Sequence, residues 1–203
     1  MNKIRIAVLC SGGGTNFQAV MSAQEAGLIP SGEVVLVITD HADAYVLKRA
    51  DRYGIKTAVF DRKEIPDRNV REKRILSVLQ ENQIGLVVFA GFMTILGVGF
   101  VSAYKGRIIN VHPALIPSFC GKGYYGLHVH EAVLARGVKV TGATVHYVTE
   151  VCDGGPIIAQ KAVEVKEDDT PESLQKRVMR EAEWVILPQA VETVCRKLQG
   201  EKI

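Results

Sequence analysis

The chain has 203 residues, 47% of them apolar and 23% charged, with a formal net charge of +3. That is enough for one large domain or two small ones, with a sizeable core to bury. The charge is too small, and the basic residues too dispersed, to point to nucleic acid or a membrane surface. Cys10, Cys120, Cys152 and Cys195 show no C-x-x-C spacing. Neither a zinc knuckle nor a disulfide framework is expected, and a reducing compartment is. The first residues run straight into a strand-like stretch, without a signal-peptide pattern or a long apolar span, so a cytoplasmic protein is expected.

Residues 4–9 form a short branched apolar run bounded by Ser11-Gly12-Gly13-Gly14, which reads as a buried strand and a tight turn. Phe17, Val20 and Met21 then recur at helical spacing, and Gly27 is a natural stop. Strands are expected at 34–38, 55–60 and 86–90, with helices at 44–53 and 67–83 between them. This alternation implies a parallel sheet with helices on both faces. A short helix near 98–104 leads to a fifth strand at 107–111. The loop at 118–126 carries three glycines and three aromatics, and a short helix follows at 128–136. Runs at 140–148 and 156–165 flank Asp153-Gly154-Gly155, which predicts a long hairpin. Thr170-Pro171-Glu172 predicts a capped helix start, with a break near Pro188 and a last segment to 198. The expected architecture is one Rossmann-like α/β domain over residues 1–203. Its mixed sheet is mostly parallel, with helices on both faces and antiparallel C-terminal strands.

The segment Ser11 to Asn16 sits between a strand and a helix. Helix-start N–H groups and the helix dipole favour an anion there, and glycine lets a phosphate approach the backbone. Thr15 and Asn16 can cap the helix or contact phosphate. A plain tight turn is the alternative reading. A dinucleotide fingerprint is weakened, though not excluded, by Phe17, which stands where the third glycine belongs. A Walker loop fails because Gly121-Lys122 follows no strand and Ile116 replaces the leading glycine.

Asn110 and His112 lie at the end of the fifth strand, on one side of it because strand side chains alternate. The glycine loop and the Gly91-Phe92-Met93-Thr94 segment also follow strands. All three therefore converge on one sheet edge, where open parallel sheets bind ligands. An amide beside a titratable imidazole suits a developing oxyanion. Asp153 is a turn residue by position; placed next to His112 it would favour the imidazolium. His128 and His130 face different directions on a helix and read as a surface and a packing histidine. His41 and His146 carry no signal in sequence.

These residues resemble the phosphoribosylglycinamide formyltransferase family of purine synthesis, nearly end to end. The resemblance is carried by Ser11-Gly12-Gly13-Gly14-Thr15-Asn16, Ala90-Gly91-Phe92-Met93-Thr94-Ile95-Leu96, Asn110-Val111-His112-Pro113 and Asp153-Gly154-Gly155-Pro156. It implies a catalytic trio of Asn110, His112 and Asp153. It implies that Gly14, Thr15 and Asn16 hold the phosphate of glycinamide ribonucleotide, with Arg180 and Glu183 contacting the ribonucleotide. Met93, Thr94, Ile95 and Leu96, together with Thr149, Glu150, Val151, Cys152 and Asp153, would line the folate pocket beside Asn110, with Arg68 near the folate. Thr94 stands where many relatives carry Arg. Residues 1–111 would form the nucleotide-phosphate half and 112–203 the folate and C-terminal half.

The implied co-substrate is 10-formyltetrahydrofolate, with no metal. Partners would be small molecules, with no nucleic acid and no membrane, in a monomer or homodimer. The expected chemistry has Asn110 and a protonated His112 stabilise a tetrahedral oxyanion while Asp153 keeps His112 charged. A methionyl-tRNA formyltransferase would add a C-terminal RNA-binding domain, and a formyltetrahydrofolate hydrolase an N-terminal regulatory domain. The chain's extent leads to the expectation of the ribonucleotide acceptor.

Overall fold

The computed structural model describes residues 2–201. Strands β1 (Ile4–Leu9), β2 (Gly32–Thr39), β3 (Lys56–Val59), β4 (Leu86–Phe89) and β5 (Ile108–His112) are parallel. Strands β6 (Val140–Tyr147) and β7 (Ile157–Glu164) run antiparallel beyond β5. Together they make one sheet in the order β3-β2-β1-β4-β5-β6-β7.

The parallel strands are apolar throughout because both of their faces are covered. Ile6, Val8, Leu86 and Val88 enter one core, while Ala7, Leu9, Val87 and Phe89 enter the other. The first core is closed by α1 (Thr15–Glu25), α2 (Val46–Arg52), α5 (Leu127–Arg136), α6 (Pro171–Val178) and α7 (Trp184–Leu198). The second is closed by α3 (Arg68–Glu81) and α4 (Val98–Ala103), through Ile75, Leu79 and Phe100. Phe17, at the expected misfit to a dinucleotide fingerprint, is fully buried in the first core. Truncating such a ring to alanine costs about 3–5 kcal/mol.

Two helix starts follow the capping chemistry. Asp67 accepts the N–H groups of Asn69 and Val70 at the head of α3. Thr170 and Ser173 cap each other at α6, with Pro171 in the first turn. The head of α1 differs from expectation: neither Thr15 nor Asn16 caps it, and the cap position is Gly14 in the left-handed region, φ 72°. A Cβ at Gly14 would also meet Val46 Cγ2 at 2.6 Å, so packing alone demands glycine there.

The expected break at Pro188 does not occur; Pro188 lies inside α7. Proline cannot donate to the Trp184 carbonyl, but its neighbours Ile186, Leu187, Ala190 and Val191 are buried, and that packing carries the helix through the missing bond. The irregularity falls earlier, as a π-helical turn at Met179–Glu183 joining α6 to α7. Such bulges rotate the next stretch of helix and recur at functional sites. Here the turn carries Glu183 inward, to 6% exposure. Among the described residues, no helix is long and apolar enough to cross a membrane.

The sheet order places β2 on one side of β1 and β4 on the other. The chain therefore leaves β1 and β4 in opposite directions and opens a crevice at their carboxyl ends, the usual ligand position in such sheets. Hydrogen bonds stitch its rim: Ser11 N–H donates to the Gly91 carbonyl at 3.0 Å, and Met93 N–H to Ser11 Oγ at 2.8 Å.

Candidate active site

Two ends of this crevice hold chemistry. At one end is the glycine loop. An added Cβ at Gly12 or Gly13 would meet nothing within 4 Å, so packing does not require glycine at either position. Open space beside bare backbone at a helix start suits a bound anion. Arg49, which the sequence reading missed, supplies a cation there: its Nε donates to the Gly13 carbonyl at 2.8 Å. Asn16 is buried, and its amide donates to Glu183 Oε2 at 2.6 Å. Burial pushes the Glu183 carboxyl up to about 7, against the opposing pull of the Asn16 amide. Asn16 Oδ1 is buried without a partner. Arg180 lies on the outside instead, 70% exposed and paired with Glu181 at 3.1 Å.

At the other end, β5 presents Asn110 and His112, and the hairpin tip presents Asp153. Asp153 Oδ2 lies 3.7 Å from His112 Nδ1. The turn that places it needs its residues: Asp153 sits at φ 52°, a region aspartate tolerates, and a Cβ at Gly155 would collide with the Tyr147 carbonyl. Asp153 Oδ2 also accepts the Gly121 N–H at 2.8 Å. The trio expected from the resemblance is therefore assembled in space.

His146 is the residue that sequence reading passed over. The antiparallel register pairs Asn110 with His146 and His112 with Thr144, so these side chains share a face. His146 is 2% exposed. Its Nε2 lies 3.2 Å from the Asn110 amide and 3.5 Å from Asp153 Oδ1. The available signal was the polar alternation Thr144-x-His146 along β6, but it means nothing until the register against β5 is known.

Two main-chain carbonyls set the tautomers. A carbonyl only accepts. His112 Nε2 lies 2.8 Å from the Phe119 carbonyl and His146 Nδ1 lies 2.9 Å from the Tyr147 carbonyl, so each of these nitrogens carries a proton. The remaining nitrogen of each ring faces Asp153. One carboxylate thus stands between two anchored imidazoles, each turning its second nitrogen toward it.

Opposing effects act on the charge of His112. Burial lowers its pKa below the ordinary 6.5, and the Phe119 carbonyl and Asp153, which both act to raise it, do not offset that loss of solvation. Asp153 goes the other way from a plain buried acid: burial raises it, but the His146 bond, the Gly121 N–H and the two imidazoles outweigh burial, and it is held below the usual carboxylate range. His128 is exposed beside Glu131, whereas His130 is fully buried with neither ring nitrogen bonded. Burial and then His112 hold His130 at about 4.

Between the sheet edge and the hairpin tip lies a cleft of about 160 Å³. Thr94, Ile95 and Leu96 form one wall, residues 149–153 the other, and Asn110 and His146 the floor. Met93 and Arg68 are outside the lining. Arg68 bonds Glu72 at 2.6 Å, and that carboxylate accepts the Gly97 N–H, one residue beyond Leu96. Thr94 donates to the buried Asp40 at 2.6 Å. Among the described residues no group of three or more His, Cys, Asp or Glu side chains is arranged to hold a metal ion.

The formyl transferase family profile matches residues 4–191. A trifunctional purine biosynthetic protein adenosine-3 from Gallus gallus is 42% identical over 95% of this chain, which spans 18% of that protein. A chloroplastic phosphoribosylglycinamide formyltransferase from Arabidopsis thaliana is 39% identical over 95% of the chain, which spans 66% of its length. The crystal structure of phosphoribosylglycinamide formyltransferase from Bacillus halodurans superposes with a TM-score of 0.87 at 40% identity, covering 95% of this chain and 96% of that one. Likeness of this extent in sequence and fold together shows that the chain belongs to the formyl transferase family, among the phosphoribosylglycinamide formyltransferases.

Proposed function

We propose that this chain transfers the formyl group of 10-formyltetrahydrofolate to the amino group of glycinamide ribonucleotide, giving the formylated ribonucleotide and tetrahydrofolate. The observation that carries the proposal is the carboxylate held between two anchored imidazoles, next to an amide donor and facing a cleft. The names and near-complete overlap of the structural relatives support the choice of substrates.

In this reading Gly14, Thr15 and Asn16 receive the ribonucleotide phosphate at the head of α1, with Arg49 behind the loop. The buried Glu183 lies beside Asn16 and orients the ribonucleotide. The cleft walls at 94–96 and 149–153 receive the pterin, and Arg68 stands toward the folate tail. Ribonucleotide and folate sites thus draw on both halves of the chain.

The acceptor amine attacks the formyl carbon. Asn110 leaves its contact with His146 to donate to the forming oxyanion, a role in which one well-placed donor lowers the barrier by about 3–4 kcal/mol. His112, neutral at rest, takes the proton the amine sheds on Nδ1, and Asp153 stabilises the resulting imidazolium. The same proton passes to the leaving nitrogen as the carbon–nitrogen bond to the folate breaks. A neutral resting His112 suits this order of events, because a base must be free before it can accept. Small-molecule partners and a reducing cytosol complete the proposal; the four free cysteines are in keeping with the latter.

The test follows donor deformylation by absorbance with and without glycinamide ribonucleotide. Turnover that depends on the acceptor supports a transferase. Donor loss without acceptor would make the chain a hydrolase, and no donor loss would make it a binding module.

A further inference from the structure

Two of the four cysteines have no place in the core, and neither handles a proton in the mechanism above. Cys120 is half-exposed in the loop between β5 and α5, and Cys152 is exposed at the hairpin tip. Asp153 draws the two segments together. Its Oδ2 accepts the N–H of Gly121, the peptide that follows Cys120, at 2.8 Å, and Cys152 Sγ stands 3.8 Å from the same oxygen. Cys120 is also flanked by both anchors of the site: on one side Phe119, whose carbonyl holds His112, and on the other Gly121, which holds Asp153.

We propose that Cys120 and Cys152 form a dithiol at the mouth of the cleft, which a small-molecule disulfide closes to an intramolecular bridge that arrests the enzyme. Gly121 and Gly123 sit at φ 89° and 97°, and the Cys120 thiol is held only by a 3.3 Å contact to the Pro117 carbonyl. Cys152 is part of the cleft wall, so a bridge would tie that wall to the loop that anchors His112.

The chemistry balances by exchange. One protein thiolate attacks the small disulfide, forming a mixed disulfide and releasing one small thiolate. The second protein thiolate then attacks the protein sulfur of the mixed disulfide and expels the second small thiolate. Two protein thiols are oxidised, one small disulfide is reduced to two thiols, and the two protons pass from the protein to the departing thiolates. Burial first, and then the Asp153 charge, raise both thiols above their ordinary range. The opening attack is therefore slow at neutral pH, and the pair stays reduced until the oxidant accumulates.

The turnover part of the test rests on the formyl-transfer reading; the bridge itself does not. The full chain is incubated with oxidised glutathione, digested without reductant, and its disulfides are mapped by mass. Acceptor-dependent turnover is read on the same sample before and after dithiothreitol. The expected result is a Cys120–Cys152 cross-linked peptide, turnover lowered by about a hundredfold, and recovery on reduction. Cys120→Ser should form no cross-link and keep its turnover through the oxidant. A glutathione adduct on Cys152 without a bridge, no modification at all, or a bridge that leaves turnover unchanged would each overturn the proposal. If the reduced enzyme shows no acceptor-dependent turnover, the functional reading fails, while the peptide map still decides whether the dithiol closes.

Discussion

The two ends of the crevice each bury a carboxylate, and the two behave oppositely. Glu183 is fully buried with one neutral partner, the Asn16 amide, and its carboxyl is pushed up to about 7. Asp153 is also largely buried, yet two imidazoles and the Gly121 N–H hold it below the usual range. Burial by itself raises an acid, because the charged form loses its hydration. What surrounds the carboxylate decides whether that penalty is met. The molecule thus keeps one carboxylate charged, between the two imidazoles, and holds another back from ionising, beside the glycine loop.

The largest effect should come from removing the charge at Asp153. Asparagine keeps the left-handed backbone and can still accept the Gly121 N–H. Asp153→Asn should lower kcat by about 10²–10⁴, the range of a lost acid–base function. It should also move the His112 titration, followed by NMR, still further below its ordinary value. Unchanged turnover would show that the charge between the imidazoles is idle.

Next is Glu183. Its folded pKa lies above its unfolded one, so the native state binds the extra proton between about 4.5 and about 7. The stability this confers is fully present below 4.5 and is lost as pH rises through 7, by about 3 kcal/mol at most. Glu183→Gln should remove that decline and raise Tm by roughly 5 °C at about pH 8, read by calorimetry. It should also raise KM for the ribonucleotide. Matching pH–stability curves for the two proteins would mean that Glu183 stays solvated.

The smallest effect separates two glycines of one loop. Gly12→Ala has room for its Cβ and should shift stability by no more than about 0.5 kcal/mol, yet raise KM for the ribonucleotide by blocking the backbone. Gly14→Ala, at positive φ and against Val46, should cost about 1–3 kcal/mol in a denaturant titration. Equal and negligible effects on ribonucleotide binding would remove the anion from the loop.

Much of the scaffold is legible in the chain order of residues. The first strand, Ile4–Leu9, and the caps at Asp67 and Thr170 follow from local rules, because branched apolar runs and side-chain caps act within a few residues. The failures are instructive. Pro188 obeys the local rule in isolation, but the buried helix around it outweighs one lost hydrogen bond. His112 beside a carboxylate is raised by pairwise reasoning, while its own burial acts the other way and is the larger effect.

The site divides the same way. Strand alternation alone puts Asn110 and His112 on one side, and the turn sequence alone calls for the tight bend at Asp153-Gly154-Gly155. Those are properties of neighbours in the chain, settled by sterics and short-range hydrogen bonding. That His146 sits against Asn110, that Glu183 crosses the molecule to meet Asn16, and that Asp153 is charged while Glu183 is near its midpoint were decided only in the folded state. Strand register, helix rotation and desolvation are sums over distant groups, and no stretch of sequence contains them.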